Sequence, residues 1–155
     1  MQIHLISVGN KMPKWIQDGY QEYAKRLPKE CELILREVPP LKRTKNADLT
    51  KIREEEGTRV LSILSKDDHI IGLELRGKPW STLDLAENLN SWQNHGKRVA
   101  LLVGGPEGLS QACISATQEL WSLSNLTLPH PLVRVVIAEQ IYRAWSILNN
   151  HPYHR

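Results

Sequence analysis

Phenylalanine is absent from this 155-residue chain, and cysteine occurs only at Cys31 and Cys113. The two thiols stand far apart, with no CxxC and no histidine at ligand spacing, so neither a disulfide framework nor a zinc site reads out. His4, His69 and His95 likewise show no ligand spacing, and no metal is expected. No run of 18 apolar residues exists, and the opening MQIHLISVGNKMPKW lacks both a basic stretch before its apolar run and a small-residue cleavage site. These absences argue against a membrane span and a secretory leader, leaving a reducing cytoplasm as the expected setting. Charge of one sign is also scarce: the net value of +3 is too small to argue for nucleic acid.

The composition that remains is 41% hydrophobic and 24% charged, close to ordinary globular proteins, which excludes a disordered or coiled-coil chain. Its length fits a single domain over residues 1–155. Basic residues gather in KRTK (Lys42 to Lys45) and AKRLPK (Lys25, Arg26, Lys29), and acids in REEEG. These clusters are either solvated faces or a footprint for phosphates.

Five short apolar runs alternate with longer helical patterns. Ile3 to Gly9, Glu32 to Val38, His69 to Leu75, Arg98 to Gly105 and Trp121 to Leu128 have strand length and bounding turn residues. Helices are expected between them: one in MPKWIQDGYQEYAKRLP, a second in NADLTKIREEEGTRVLSIL despite the cost of Gly57, and a third in STLDLAENLNSWQNHG. Ser81 and Asp84 form a capping-box pattern at the start of the third, and Gly96 ends it. This alternation predicts an α/β fold, a mostly parallel sheet flanked by helices.

The last helical stretch, HPLVRVVIAEQIYRAWSIL, has Pro131 in its first turn and apolar residues on more than one stripe. Such a helix is buried on more than one side, either inside its own domain or against a second copy. Glu139 and Arg143 lie four apart on it in the order that favours an ion pair. A charged pair on an apolar helix serves either structure or function. His130 is placed to cap this helix.

In open α/β sheets, ligands bind beyond the carboxyl ends of the strands. The turn GGPEG, Gly104 to Gly108, follows the fourth apolar run but cannot be a phosphate loop, because Pro106 removes an N–H and Glu107 adds negative charge. It is either a tight structural turn or the wall of a site for a flat, uncharged or cationic ligand. The stretch SLSNLTLPHP offers Leu123, Leu126 and Leu128 as apolar walls, with backbone amides for a base edge, or is a buried strand.

GGPEG, SLSNLTLPHPLVRV, EQIYRAWSI and the terminal NHPYHR, in this order and with VGNKMPKW, KNAD and GKPW before them, closely resemble the ribosomal RNA large subunit methyltransferase H family. These are small SPOUT-class enzymes that methylate N3 of a pseudouridine in 23S ribosomal RNA, and the resemblance covers the whole chain.

The resemblance implies a SPOUT fold with a C-terminal trefoil knot, a homodimer, S-adenosylmethionine as methyl donor, and 23S ribosomal RNA within the assembled 70S ribosome as substrate. The cofactor would be held by Leu73, Gly104, Leu123, Ser124, Asn125, Leu126, Thr127 and Leu128. Glu139, Arg143, Tyr153 and His154 would form the catalytic group. The tail HPYHR would be half of a composite site, ordered when substrate arrives.

Overall fold

The computed structural model describes residues 1–155. Its strands are β1 (Gln2–Val8), β2 (Glu32–Val38), β3 (His69–Pro79), β4 (Val99–Val103) and β5 (Glu119–Ser122). Its helices are α1 (Lys14–Ala24), α2 (Leu49–Ile63), α3 (Thr82–His95), α4 (Gln111–Ala116) and α5 (His130–Leu148), with short 3₁₀ turns at Lys29–Cys31 and Pro152–His154. All strand pairings are parallel, in the order β2-β1-β4-β3-β5. This is the expected α/β arrangement.

Alternation along the strands splits the core in two. Ile3, Leu5, Leu101 and Val103 face a cluster with Leu89, Trp92, Ile137 and Ile141, under α1, α3 and α5. Ile6, Val8, Ala100 and Leu102 face the other side, with Val60, Leu109 and Cys113 of the α2–α4 layer. Both faces of the sheet are covered, which is why β1 and β4 read as nearly unbroken apolar runs.

The local signals at α3 hold: Ser81 and Asp84 make a reciprocal capping box, and Gly96 closes the helix in the left-handed conformation at φ 69°. Asp48 caps α2 by accepting from the N–H groups of Thr50 and Lys51. Gly57 has a steric reason to interrupt that helix, since a Cβ there would lie 2.1 Å from Ser110 Oγ of the α4 cap.

Three features differ from the sequence reading. β5 ends at Ser122 instead of continuing to Leu128. Beyond it Ser122 Oγ donates to Ser124 O, and Ser124 Oγ accepts from Leu126 N–H, so serine side chains turn the chain out of the sheet. β3 runs on to Pro79, but its pairing with β5 jumps between Leu73 and Lys78, and residues 74–77 bulge out of the ladder. The short helix α4, six residues long, is too brief to show a period in the sequence.

The apolar helix α5 packs along α1 and α3 and buries Ile137, Ala138, Ile141, Tyr142 and Ala144 within its own chain. Leu132, Val135, Val136 and Ile147 are only partly covered. Its tail is folded, not frayed: Pro152–His154 forms a turn whose start is tied to α5 by His151 N–H donating to Ser146 O at 2.9 Å.

Candidate active site

A cleft of about 450 Å³ opens at the carboxyl ends of β3 and β4. Leu73, Glu74 and Leu75 from the β3 bulge form one wall, Gly104 to Pro106 and Gly108 a second, and Leu123 to Leu128 much of the third. Of the eight residues expected to hold the cofactor, Leu73, Gly104, Leu123, Ser124, Leu126, Thr127 and Leu128 line this cleft. Asn125 lies within the same loop but is not among the lining residues.

Two local causes shape the cleft. The glycine turn folds back on itself: Gly108 N–H donates to Gly105 O, and a Cβ on Gly104 would lie 2.3 Å from the Gly108 carbonyl carbon. Only glycine fits at 104, so the backbone itself is the wall. The 123–128 loop makes no backbone–backbone hydrogen bond, and its one N–H bond goes from Leu126 to Ser124 Oγ. Its other amides are therefore free to meet a ligand. Leu126, 72% exposed, offers an apolar surface at the mouth.

The lining contains no lysine or arginine, and its one carboxylate is Glu74. Glu74 is paired with Arg76, and the wall offers phosphate no cationic side chain while presenting a flat apolar ligand with leucine faces and free amides. His130 also lines the cleft, at the first turn of α5, and sequence reasoning placed it differently. It caps nothing: Pro129 is the N-cap, and no side-chain cap bond forms. Its Nδ1 is buried without a partner. Burial, followed by the nearby charges of Arg134 and Arg43, holds the imidazole below its usual pKa and therefore neutral at pH 7. Arg134, 1% exposed, donates to Gly9 O at 2.9 Å and to Glu37 at 2.8 Å, joining α5 to the ends of β1 and β2. An arginine inside an apolar helix was the one sequence signal for it.

The other four expected site residues form a separate cluster on α5 and the tail. Arg143 Nη2 donates to Glu139 Oε2 at 2.8 Å, and Tyr153 Oη donates to the same oxygen at 2.6 Å. The Arg143 guanidinium lies 5.0 Å from the Tyr153 ring centroid, and Tyr153 packs on Tyr142 at 4.6 Å. Burial opposes ionisation of Glu139, but the hydrogen bonds from Tyr153 and Arg143 prevail and hold its carboxyl below the usual range. Burial and the Glu139 carboxylate push the Tyr153 phenol up, so it stays a donor.

The bonds of Ser146 favour one tautomer of His154. Ser146 Oγ donates its only proton to Arg143 O at 2.7 Å, so it can only accept from His154 Nδ1, 3.1 Å away. A neutral imidazole protonated at Nδ1 leaves Nε2 as a free acceptor. None of Glu139, Arg143, Tyr153 and His154 lines the cleft of the same chain. His130 and Glu139 stand nine positions apart on α5, roughly 13 Å along the axis.

A family model described as "Predicted SPOUT methyltransferase" matches residues 1–154. A protein of Methylococcus capsulatus named "Ribosomal RNA large subunit methyltransferase H" is 56% identical over 155 residues, covering 100% of both chains. One of the same name from Hahella chejuensis is 54% identical, over 100% of this chain and 99% of its own. Among solved structures, a "Probable Methyltransferase" from Bordetella pertussis superposes with a TM-score of 0.57 at 15% identity, covering 92% of this chain and 93% of that one. A "probable methylase family protein" from Haemophilus influenzae gives 0.54 at 14% identity, over 99% of this chain and 70% of that one. At such identities the structural likeness concerns the fold alone.

Proposed function

The chain belongs to the SPOUT methyltransferase family, and from that premise we propose that it transfers the methyl group of S-adenosylmethionine to N3 of a pseudouridine in 23S ribosomal RNA. It acts as a homodimer on the assembled 70S ribosome, in the cytoplasm. The observation that carries the reading is the cleft at Leu73, Gly104 and Leu123–Leu128: apolar, rich in unpaired backbone amides, and without a lysine or arginine. The relatives' printed names supply the RNA class.

The cleft's chemistry fits this donor. Glu74 is the one carboxylate in the lining and is already paired with Arg76, and a neutral His130 adds no repulsion to a cation. The free amides of the 123–128 loop match the edge of a purine, and Leu126 and Leu128 its faces. When bound, S-adenosylmethionine supplies a methyl carbon activated by its sulfonium.

The chain's own residues then align the base and remove its proton. The N3–H of a uracil-type ring is weakly acidic, so a base must take the proton as the methyl carbon is attacked. His154 Nε2 is the acceptor, its lone pair freed by the Ser146 contact. Glu139 is a poor base at its lowered pKa and serves instead as the anion that holds Tyr153 and Arg143 in place. Arg143 stabilises negative charge developing on the ring carbonyls, and Tyr153 offers a face on which the base stacks.

The separation of this cluster from the cleft of its own chain supports a dimer in which the tail of one copy meets the cofactor of the other. The partly covered residues of α5 supply the contact. Exposed Lys42, Lys45, Lys25 and Lys29 are available to RNA phosphates, so binding weakens with salt.

The test is methylation of 70S ribosomes lacking the modification, prepared with and without prior pseudouridylation. N3-methylated pseudouridine appearing only on the pseudouridylated particles supports the reading. A methyl group on another nucleotide, or equal labelling of free 23S RNA, sinks the substrate assignment.

A further inference from the structure

The basic run Lys42 to Lys45 does not behave as one surface. Lys42 and Lys45 are exposed, but Arg43 turns inward between two carboxylates. Its Nη1 and Nη2 donate to Glu56 Oε2 and Oε1 at 2.9 and 2.8 Å, and its Nε and Nη2 donate to Glu107 Oε1 and Oε2 at 3.0 and 2.6 Å. Glu56, 3% exposed, also accepts from Leu41 N–H at 2.9 Å. One guanidinium thus clamps three segments: the loop after β2, the middle of α2, and the glycine turn that walls the cleft.

This clamp constrains a turn that makes few hydrogen bonds of its own. Within Gly104–Gly108 only the bond from Gly108 N–H to Gly105 O is made, and Pro106 has no N–H to offer. The turn is also packed directly on the clamp: a Cβ on Gly105 would lie 3.3 Å from Arg43 Nη2 and 3.4 Å from Glu56 Oε1. Gly104, which lines the cleft, is in turn fixed by Gly108, since a side chain at 104 would strike the Gly108 carbonyl at 2.3 Å. A continuous chain of contact runs from Arg43 through Glu107 and Gly108 to Gly104. If stability alone were served, apolar residues would do as well as a charged triad with one carboxylate in excess.

We propose that Arg43 is a positioning residue for the cofactor, holding the Gly104–Gly108 turn in the shape that admits it. Arg43 and Glu107 do not line the cleft themselves, so they act through the backbone of the turn. The inference rests on the cofactor assignment made above for the same cleft.

Calorimetric titration with S-adenosylmethionine tests it on the full chain. Arg43→Ala is expected to raise the cofactor Kd about tenfold, the scale of one charge-assisted hydrogen bond. Glu107→Gln, which keeps shape and one acceptor, raises it about threefold and serves where Arg43→Ala fails to fold. In steady state the loss appears in KM for the cofactor with kcat retained, whereas mere loss of folded protein lowers kcat at constant KM. Wild-type Kd in both folded variants, or a change confined to kcat, overturns the inference and leaves the function standing. A wild-type protein that binds no S-adenosylmethionine overturns the function and this inference with it.

Discussion

Ser146 Oγ and His154 Nδ1 stand 3.1 Å apart, joining the last helix to the tail through a hydroxyl whose only proton is already given to Arg143 O. That one contact decides which imidazole nitrogen is free. Ser146→Ala removes the acceptor for Nδ1–H, letting the ring turn and exchange tautomers, and is expected to lower kcat roughly tenfold. His154→Ala removes the acceptor altogether and costs roughly a hundredfold. Cofactor Kd, measured by calorimetry, stays at the wild-type value in both. A Ser146→Ala protein with unchanged kcat would show that the tautomer is irrelevant.

Tyr153→Phe keeps the ring but deletes the hydrogen bond to Glu139. That bond is among those holding the Glu139 carboxyl low, so its pKa moves back up. Glu139 must stay ionised to hold Arg143, so their contact is lost at a higher pH than in the wild type. Titration of the Glu139 carboxyl followed by NMR in both proteins checks this, and a midpoint that shifts the other way contradicts it.

The framework of the fold was legible because it depends on local and periodic signals. Ser81, Asp84 and Gly96 bracket α3 by chemistry confined to one turn at each end, and the unbroken apolar runs of β1 and β4 follow from cover on both faces. The ion pair of Glu139 and Arg143 was visible for the same reason, being one helical turn long. What failed was anything set by distant partners. Arg43 looks like any member of a basic run, because Glu107 is 64 positions away. Leu123, Leu126 and Leu128 fall in an apolar run of strand length, yet no strand remains to pair with them and serine contacts turn the chain aside. The proposed composite arrangement of cleft and tail rests on family resemblance alone, since no pattern in the residues brings the two clusters together.

Acid sensitivity should trace in part to Asp68. Its side chain, 3% exposed, accepts from Arg98 Nε at 2.9 Å and Nη2 at 2.6 Å. Burial opposes its ionisation, but Arg98 and the Ser65 N–H prevail and hold the carboxyl below the ordinary value. A depressed folded pKa gives stability that is complete above the unfolded value, near 4, and is lost as pH falls through the folded one. Asp68→Asn is expected to cost about 2 kcal/mol at pH 7, less than a fully buried pair because Arg98 is partly solvated. The gap between the two proteins narrows below pH 4. Urea unfolding at pH 7 and pH 3 measures both, and a constant gap would place the acid sensitivity elsewhere.

Gly57 poses a choice of sign. In an exposed helix Gly→Ala gains about 1 kcal/mol from propensity. At this position the new Cβ would stand 2.1 Å from Ser110 Oγ and 2.6 Å from Ser110 Cβ. Ser110 cannot simply turn away, because its hydroxyl caps α4 by accepting from Cys113 N–H at 3.1 Å. Either the cap is lost, about 1 kcal/mol, or α2 and α4 separate, at the 1–3 kcal/mol typical of overpacking. Gly57→Ala is therefore expected to destabilise by up to about 2 kcal/mol net, because the Ser110 Cβ stays in the way even if its hydroxyl turns aside. Adding Ser110→Gly removes the struck atoms while leaving a residue tolerated at a helix N-cap, so the double variant should recover most of the loss. Denaturant midpoints of the two single variants and the double one decide it. If the double variant is no more stable than Gly57→Ala alone, the close approach of α2 and α4 is not what keeps residue 57 a glycine.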